Sequence, residues 1–338
     1  MLRHCTRVLG VLLAVLLGLL VFADRAQAQI PIQTQTQTGS TTCRLGAYVT
    51  SLYDINTAAG TFRAEFWMWS VCPNDEIKPL NTLEFVNGQG VEGSLDATLQ
   101  RGDMWWSTRK FTGVFRDDFQ LQNYPFDRQS LNIRLEEAVL DTRDLVYSAD
   151  TAESRTGPDV HVAGWRLGEL TVRSEIVSHP TTFGDPSLPG GVSRYASMDI
   201  TIDAERVHWE TFLRVTFRLY IVALLVFAAL MFDIVATDMF LGRMGVLGST
   251  LFAVVVSFSS SEQLLGQHQG MYLLDLLHLV VLLLILLATG WAITAHRQFT
   301  AGREADVMRR RDRRVSAGLV SGFLILNVTL VVMALLNG

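Results

Sequence analysis

An all-β domain followed by a bundle of four membrane-spanning helices is the fold class this 338-residue sequence predicts. Three observations predict it. Charged residues make up 18% and hydrophobic ones 49%, whereas soluble domains carry about 25% charged residues. Short apolar/polar alternations fill the stretch up to residue 210, and four apolar stretches follow it, each long enough to cross about 30 Å of hydrocarbon. A pI near 5.8 gives no basic field for nucleic acid. Three cysteines exclude a disulfide-dense miniprotein and an all-cysteine zinc site.

Residues 1–28 carry Arg3 and Arg7, an apolar run over 8–22, and Ala26-Gln27-Ala28. A positive start, a hydrophobic stretch and a small-x-small cleavage site read as a secretory signal peptide, with an uncleaved signal anchor as the alternative. Cleavage after Ala28 removes Cys5. The Gln/Thr repeat that follows reads as a flexible lead-in, residues 29–42.

Residues 29–210 hold 25 Asp/Glu against 15 Arg/Lys, about −10 net. Alternating runs recur at 45–53, 61–71, 131–135, 166–172 and 197–202, separated by Gly, Asn, Asp and Pro. That spacing predicts an exported antiparallel sandwich or barrel over 43–210. The first two runs read as a hairpin turning near residues 56–60. Setting Asn56 opposite Ala59 places Cys43 opposite Cys72, so the pair can close a disulfide in an exported domain, or remain as two buried thiols.

The four predicted spans cover about 212–232, 243–261, 271–295 and 315–336. Between the last two, residues 297–314 hold seven Arg against Glu304, Asp306 and Asp312, which places this loop in the cytoplasm. Both termini of the mature chain then lie outside, in agreement with the leader.

On the second span Gly245, Ser249, Phe252, Val256, Ser259 and Gln263 fall on one helical stripe. Small and polar residues with one bulky ring suit a helix lining water, with Phe252 closing it by dewetting; close helix packing is the alternative. Glu262 lies near the outer end, where a ring of carboxylates would concentrate cations. Arg243 is expected at the cytoplasmic interface. Asp275 and His278 share a face of the third span, and an interhelical hydrogen bond is the favoured reading over a proton relay.

The segment Tyr124-Pro125-Phe126-Asp127-Arg128-Gln129, followed by an alternating strand, resembles the signature loop of pentameric ligand-gated ion channels. Residues 83–87 (Leu-Glu-Phe-Val-Asn) look like that family's first binding loop, and 111–115 (Phe-Thr-Gly-Val-Phe) sit at the expected distance before the signature loop. Arg206 closes the last strand before the first span, and residues 244–256 are similar to the pore helix. The loop's flanking cysteines are replaced by Asp117 and Leu131, and the cytoplasmic loop is short. Both features resemble the prokaryotic branch, described as lacking the signature cysteine pair. The first span also has no proline, since the last one is Pro189.

What the resemblance implies is a homopentamer in a bacterial inner membrane, with the β-domain in the periplasm and the second span lining the pore. Asp127 and Arg206 would pair at the domain junction, with Pro125 and Phe126 passing movement to the 264–270 link. An agonist, amine or proton, would bind between subunits near Trp67, Glu136, Phe183 and Tyr195. For Trp69, Trp105 and Trp106 core or interface packing is the preferred role.

Permeant monovalent cations are favoured by Glu262, by the acidic outer domain, and by Asp233 and Asp238 near the inner mouth; no acidic residue immediately precedes Arg243. Lipid is the remaining partner; no nucleic acid, cofactor or metal is expected. No P-loop, GxSxG or HExxH occurs, so an enzyme is not expected. The alternative class is a non-conducting periplasmic β-sandwich sensor anchored by the helices.

Overall fold

The computed structural model describes residues 40–265 and 270–337, the side chains at 189, 208 and 260–265 excepted. The expected leader at 1–28, most of the lead-in and the centre of the 264–270 link lie outside the described residues.

The strands are β1 (Thr41–Asn56), β2 (Thr61–Cys72), β3 (Leu83–Phe85), β4 (Gly88–Arg101), β5 (Met104–Arg116), β6 (Arg128–Asp141), β7 (Leu145–Ala149), β8 (Arg155–Thr156), β9 (Trp165–His179) and β10 (Ser193–Arg206). One sheet has the order β4–β5–β2–β1–β7, with β8 also on β1, and the other β3–β6–β10–β9. Period-2 alternation decides which residues face inward. β1 turns Leu45, Ala47 and Val49 inward, β2 Phe62, Phe66 and Met68, β6 Leu131, Ile133 and Leu135, and β10 Met198, Ile200 and Ile202, all fully buried. Phe66, Phe85, Phe111 and Phe115 cluster between the sheets with centroids 5.0–5.9 Å apart. Fully burying each such side chain contributes about 1.5–3 kcal/mol.

The first hairpin has a turn two residues longer than expected. Asn56 faces Thr61, not Ala59. The Asn56 side chain accepts the Ala59 N–H at 3.0 Å, and Gly60 takes φ 65°, a left-handed conformation that glycine adopts without a Cβ clash. Bulges between Val49 and Ser51 and between Tyr53 and Asn56 absorb the offset, so Arg44 still faces Val71. Beyond that pair Cys43 and Cys72 form a disulfide, with Cα atoms 4.5 Å apart. The family description, a branch lacking the signature cysteine pair, is corrected by this finding: the chain does hold a disulfide-forming cysteine pair, and it staples β1 to β2, while Asp117 and Leu131 stand beside the loop before β6.

Trp69 packs over Gly46, its partner across the ladder, where a Cβ would collide with the indole. From there its Nε1 donates to Asp150 Oδ2 at 3.0 Å.

Four helices follow: α1 (His208–Leu230), α2 (Thr237–Leu265), α3 (Leu273–Thr300) and α4 (Ala305–Asn337). All four are long and apolar enough to cross a membrane, which makes this an integral membrane protein with a folded β-domain ahead of its spans. Two helices begin more than a turn before the expected spans. α2 begins at Thr237 with Asp238 in its first turn, and α4 begins at Ala305 with Asp306 in its first turn; acidic groups there favour helix initiation. Much of the arginine-rich segment is therefore helix, because its charges are paired or solvated along a helical face.

Serine at either cysteine should lower stability by about 3–4 kcal/mol for a loop of this length. The measurement is a denaturation midpoint, and reducing agent should lower the midpoint of the native chain but not of Cys43→Ser.

Candidate functional site

Three places gather the predicted residues: the junction between β-domain and helices, a side-chain cluster on the smaller sheet, and the exposed face of α2.

At the junction Asp127 is almost fully buried, and a bare buried carboxylate would be costly. Arg206 supplies two bonds, Nε to Oδ1 at 2.8 Å and Nη2 to Oδ2 at 3.1 Å. Gln129 adds a third at 2.7 Å and also fixes the loop by bonding both backbone groups of Gln120. The guanidinium lies 4.1 Å from the Trp165 ring centroid and 4.7 Å from that of Tyr124, a cation–π sandwich. Burial pushes the Tyr124 hydroxyl above its ordinary range, Arg206 opposing and Asp127 adding to the shift.

The loop that carries Asp127 touches three helices. Buried Phe126 packs on Trp209 and Phe212 of α1, at 5.7 and 5.3 Å. The first amide of α3, Leu273 N–H, donates to Gln122 O at 2.9 Å. Asn123 donates to Asn337 O at the end of α4, also at 2.9 Å. Pro125 is buried between these contacts, after a cis peptide bond. The expected contact with the 264–270 link falls largely outside the described residues.

On the smaller sheet Glu136, Phe183 and Tyr195 come together, and His179 stands among them. Its Nε2 lies 2.6 Å from Glu136 Oε1, with Phe183 and Tyr195 ring centroids at 5.3 and 6.1 Å. Phe183 and Tyr195 are themselves 6.2 Å apart. His179 is the residue that sequence reasoning missed. Its signal was positional: it ends β9 on the same face as Tyr195. Trp67 sits half-buried on β2 in the other sheet, opposite Tyr48 and Lys110, and is not part of this cluster within one chain.

On the opposite face of β6, Glu137 is anchored inside the domain. Its carboxylate accepts Tyr147 Oη at 2.7 Å, Thr82 Oγ1 at 2.8 Å and two backbone N–H groups. Burial, reinforced by Glu137, holds the Tyr147 hydroxyl far above its ordinary range.

On α2, Gly245, Ser249, Phe252, Val256 and Ser259 are all exposed in the single chain, Phe252 by 73%. Leu247, Thr250, Val254 and Ser257 are buried on the opposite side. The helix backbone continues through Glu262 and Gln263, whose side chains lie outside the described residues. Asp238, exposed in the first turn, stands two turns before Gly245 on the same side.

Arg243 was expected at the water interface and is instead fully buried. Its Nη1 bonds both oxygens of Asp312 on α4, at 3.1 and 3.0 Å. Asp312 also accepts Trp291 Nε1 of α3 at 2.7 Å. The reason is the earlier start of both helices, which carries the two charges into the bundle where each must find the other. Asp233 is likewise committed, to Arg309 at 2.9 Å. Higher up, Ser257 of α2 bonds His278 of α3 at 3.0 Å, the interhelical bond expected there. Asp275 instead caps α3, accepting the Tyr272 N–H.

Among known proteins, the sequence matches no family model and no curated protein.

Removing one partner of a buried ion pair costs about 3–5 kcal/mol. Asp127→Asn should therefore lower the unfolding midpoint markedly in a thermal melt. Arg206→Lys should recover little of it, since an ammonium cannot make the two-bond fork or stack between Trp165 and Tyr124.

Proposed function

We propose that the chain is the subunit of a homopentameric, ligand- or proton-gated ion channel of a bacterial inner membrane, with its β-domain in the periplasm and both mature termini outside. The observation that carries this reading is the exposed face of α2. A helix apolar enough for the membrane turns Gly245, Ser249 and Ser259 away from its own bundle, together with a single large ring, Phe252. Lipid gives small polar residues no advantage, whereas a water-filled axis does.

Five copies around an axis, the number carried over from the motif resemblance, would set five Phe252 rings at one level. A constriction of that kind closes by excluding water and opens on a modest tilt of α2. Gln263 would extend the lining outward, and Glu262 would add a ring of carboxylates.

Cation conduction is supported at the inner end. Arg243 puts no charge on the exposed face, because it is buried on Asp312, while Asp238 stands exposed on the pore-facing line. A ligand site between subunits would use Glu136, Phe183 and Tyr195 of one copy and Trp67 of its neighbour. Carboxylate and aromatic rings together favour an ammonium group. Displacement there would reach the helices through Pro125, Phe126, Asp127 and Arg206, shifting a closed–open equilibrium.

Mass determination of the detergent-solubilised protein, followed by ion flux in liposomes, tests the reading. A pentamer that conducts is expected; a monomer or dimer silent across ligands, pH and voltage contradicts it and favours an anchored sensor. In a salt gradient Asp238→Asn should move the reversal potential towards that of anions, and Glu262→Gln should move it in the same direction.

A further inference from the structure

The carboxylate that would receive an ammonium ligand is already engaged by the chain itself. Glu136 is 6% exposed, and its Oε1 is held by the His179 ring nitrogen at 2.6 Å. Phe183 and Tyr195 flank that imidazole at 5.3 and 6.1 Å. An acid group with two aromatic walls therefore surrounds a side chain that carries the same charge as the expected ligand whenever it is protonated. Histidine is the side chain whose charge changes near neutral pH.

The cluster is built rather than incidental. Phe183 is held at φ 53°, a left-handed conformation that residues other than glycine seldom adopt. Its N–H is anchored on Thr181 Oγ1 at 3.1 Å, and Thr181 O accepts Ser193 Oγ at 2.8 Å. The Phe183 ring is 65% exposed and the His179 side chain 31% exposed. In the single chain the imidazole is the more accessible member of the pair, and the carboxylate is 8% exposed. A pair serving only the fold would not need an open wall.

We propose that His179 is a resident occupant of the Glu136 site which a cationic ligand must displace, so that protons and ammonium compounds compete for one carboxylate. This rests on reading Glu136, Phe183 and Tyr195 as the channel's cation-binding side. A proton taken from solvent by the imidazole converts its contact with Glu136 into a charge-assisted bond, and no other reactant is needed. The ligand class that follows is a small primary ammonium, with N–H donors able to replace the imidazole's.

The charged groups on the surrounding elements are Glu84 across the ladder on β3, Glu175 on β9, Asp199 on β10 and Asp185 in the β9–β10 connection, against Arg134 on β6 and Arg173 on β9. Asp141, opposite Tyr195, is neutralised by Arg143 at 2.6 Å. Arg194 points to the other face of β10. The surroundings are acidic on balance, which suits a cationic ligand.

Ethylammonium binding to the full-length detergent-solubilised protein, by calorimetry at about pH 5.5 and about pH 8, tests the competition within the range where histidine titrates. The wild type should bind about tenfold more weakly at the acid pH, the difference between a charge-assisted and a neutral hydrogen bond. His179→Gln should bind at least as tightly as the wild type at the higher pH and lose most of the pH dependence. Weaker binding by His179→Gln at both pH values makes the imidazole a ligand contact and overturns the proposal. Binding indifferent to pH in the wild type overturns it without recourse to any variant. Ethylammonium binding to neither protein overturns the cation-site reading and the competition with it. Where the site reading holds, Glu136→Gln should abolish binding.

Discussion

Arg206 is held on Asp127 by two hydrogen bonds and clasped between the Trp165 and Tyr124 rings, and the attachment of the β-domain to the helices depends on that arrangement. Asp127 is 2% exposed, so neither charge can be left alone in place. The pair joins the last residue of β10 to the loop before β6, at the point where the chain leaves the β-domain for α1. Once Asp127 is fixed, Phe126 is fixed on α1, Gln122 on α3 and Asn123 on α4. One loop therefore carries the contacts from the smaller sheet to three helices.

At the other end of the bundle the same physics acts on α2. Arg243 and Asp312 neutralise each other between α2 and α4, and Trp291 of α3 completes the acceptor. Among the described residues Nε and Nη2 of Arg243 have no hydrogen-bond partner, so the pair fixes the orientation of α2 more than it stabilises the fold. With Arg243, Leu247, Thr250 and Val254 turned inward, the line through Asp238, Ser249 and Phe252 has to face outward. The buried ion pair and the exposed stripe are two consequences of one helix rotation. Ser257 bonding to His278 holds the same rotation at the upper level.

The strand pattern, the four spans and the junction pair were legible in the sequence because each depends on periodicity or on a compact motif. The Cys43–Cys72 pairing was legible for a less secure reason. The assumed turn was misplaced by two residues on the β2 side, and two bulges that no pattern announces restored the register. The Arg243–Asp312 pair was not legible, since it joins residues 69 apart whose burial depends on where two helices begin. Helix starts are set by the first turn's acidic residues and by tertiary pairing, while hydropathy registers only the apolar middle. His179 escaped for a similar reason. Its partner lies 43 residues away, and only the order of β6, β10 and β9 in one sheet brings the two together.

Charged thiol reagents applied to reconstituted full-length protein with single cysteines along α2 read out directly which face meets water. Current should be blocked after Ser249→Cys, Phe252→Cys and Val256→Cys, and left unchanged after Leu247→Cys and Val254→Cys. Block at the latter two positions, or at none of the five, would contradict a pore lined by the exposed face of α2.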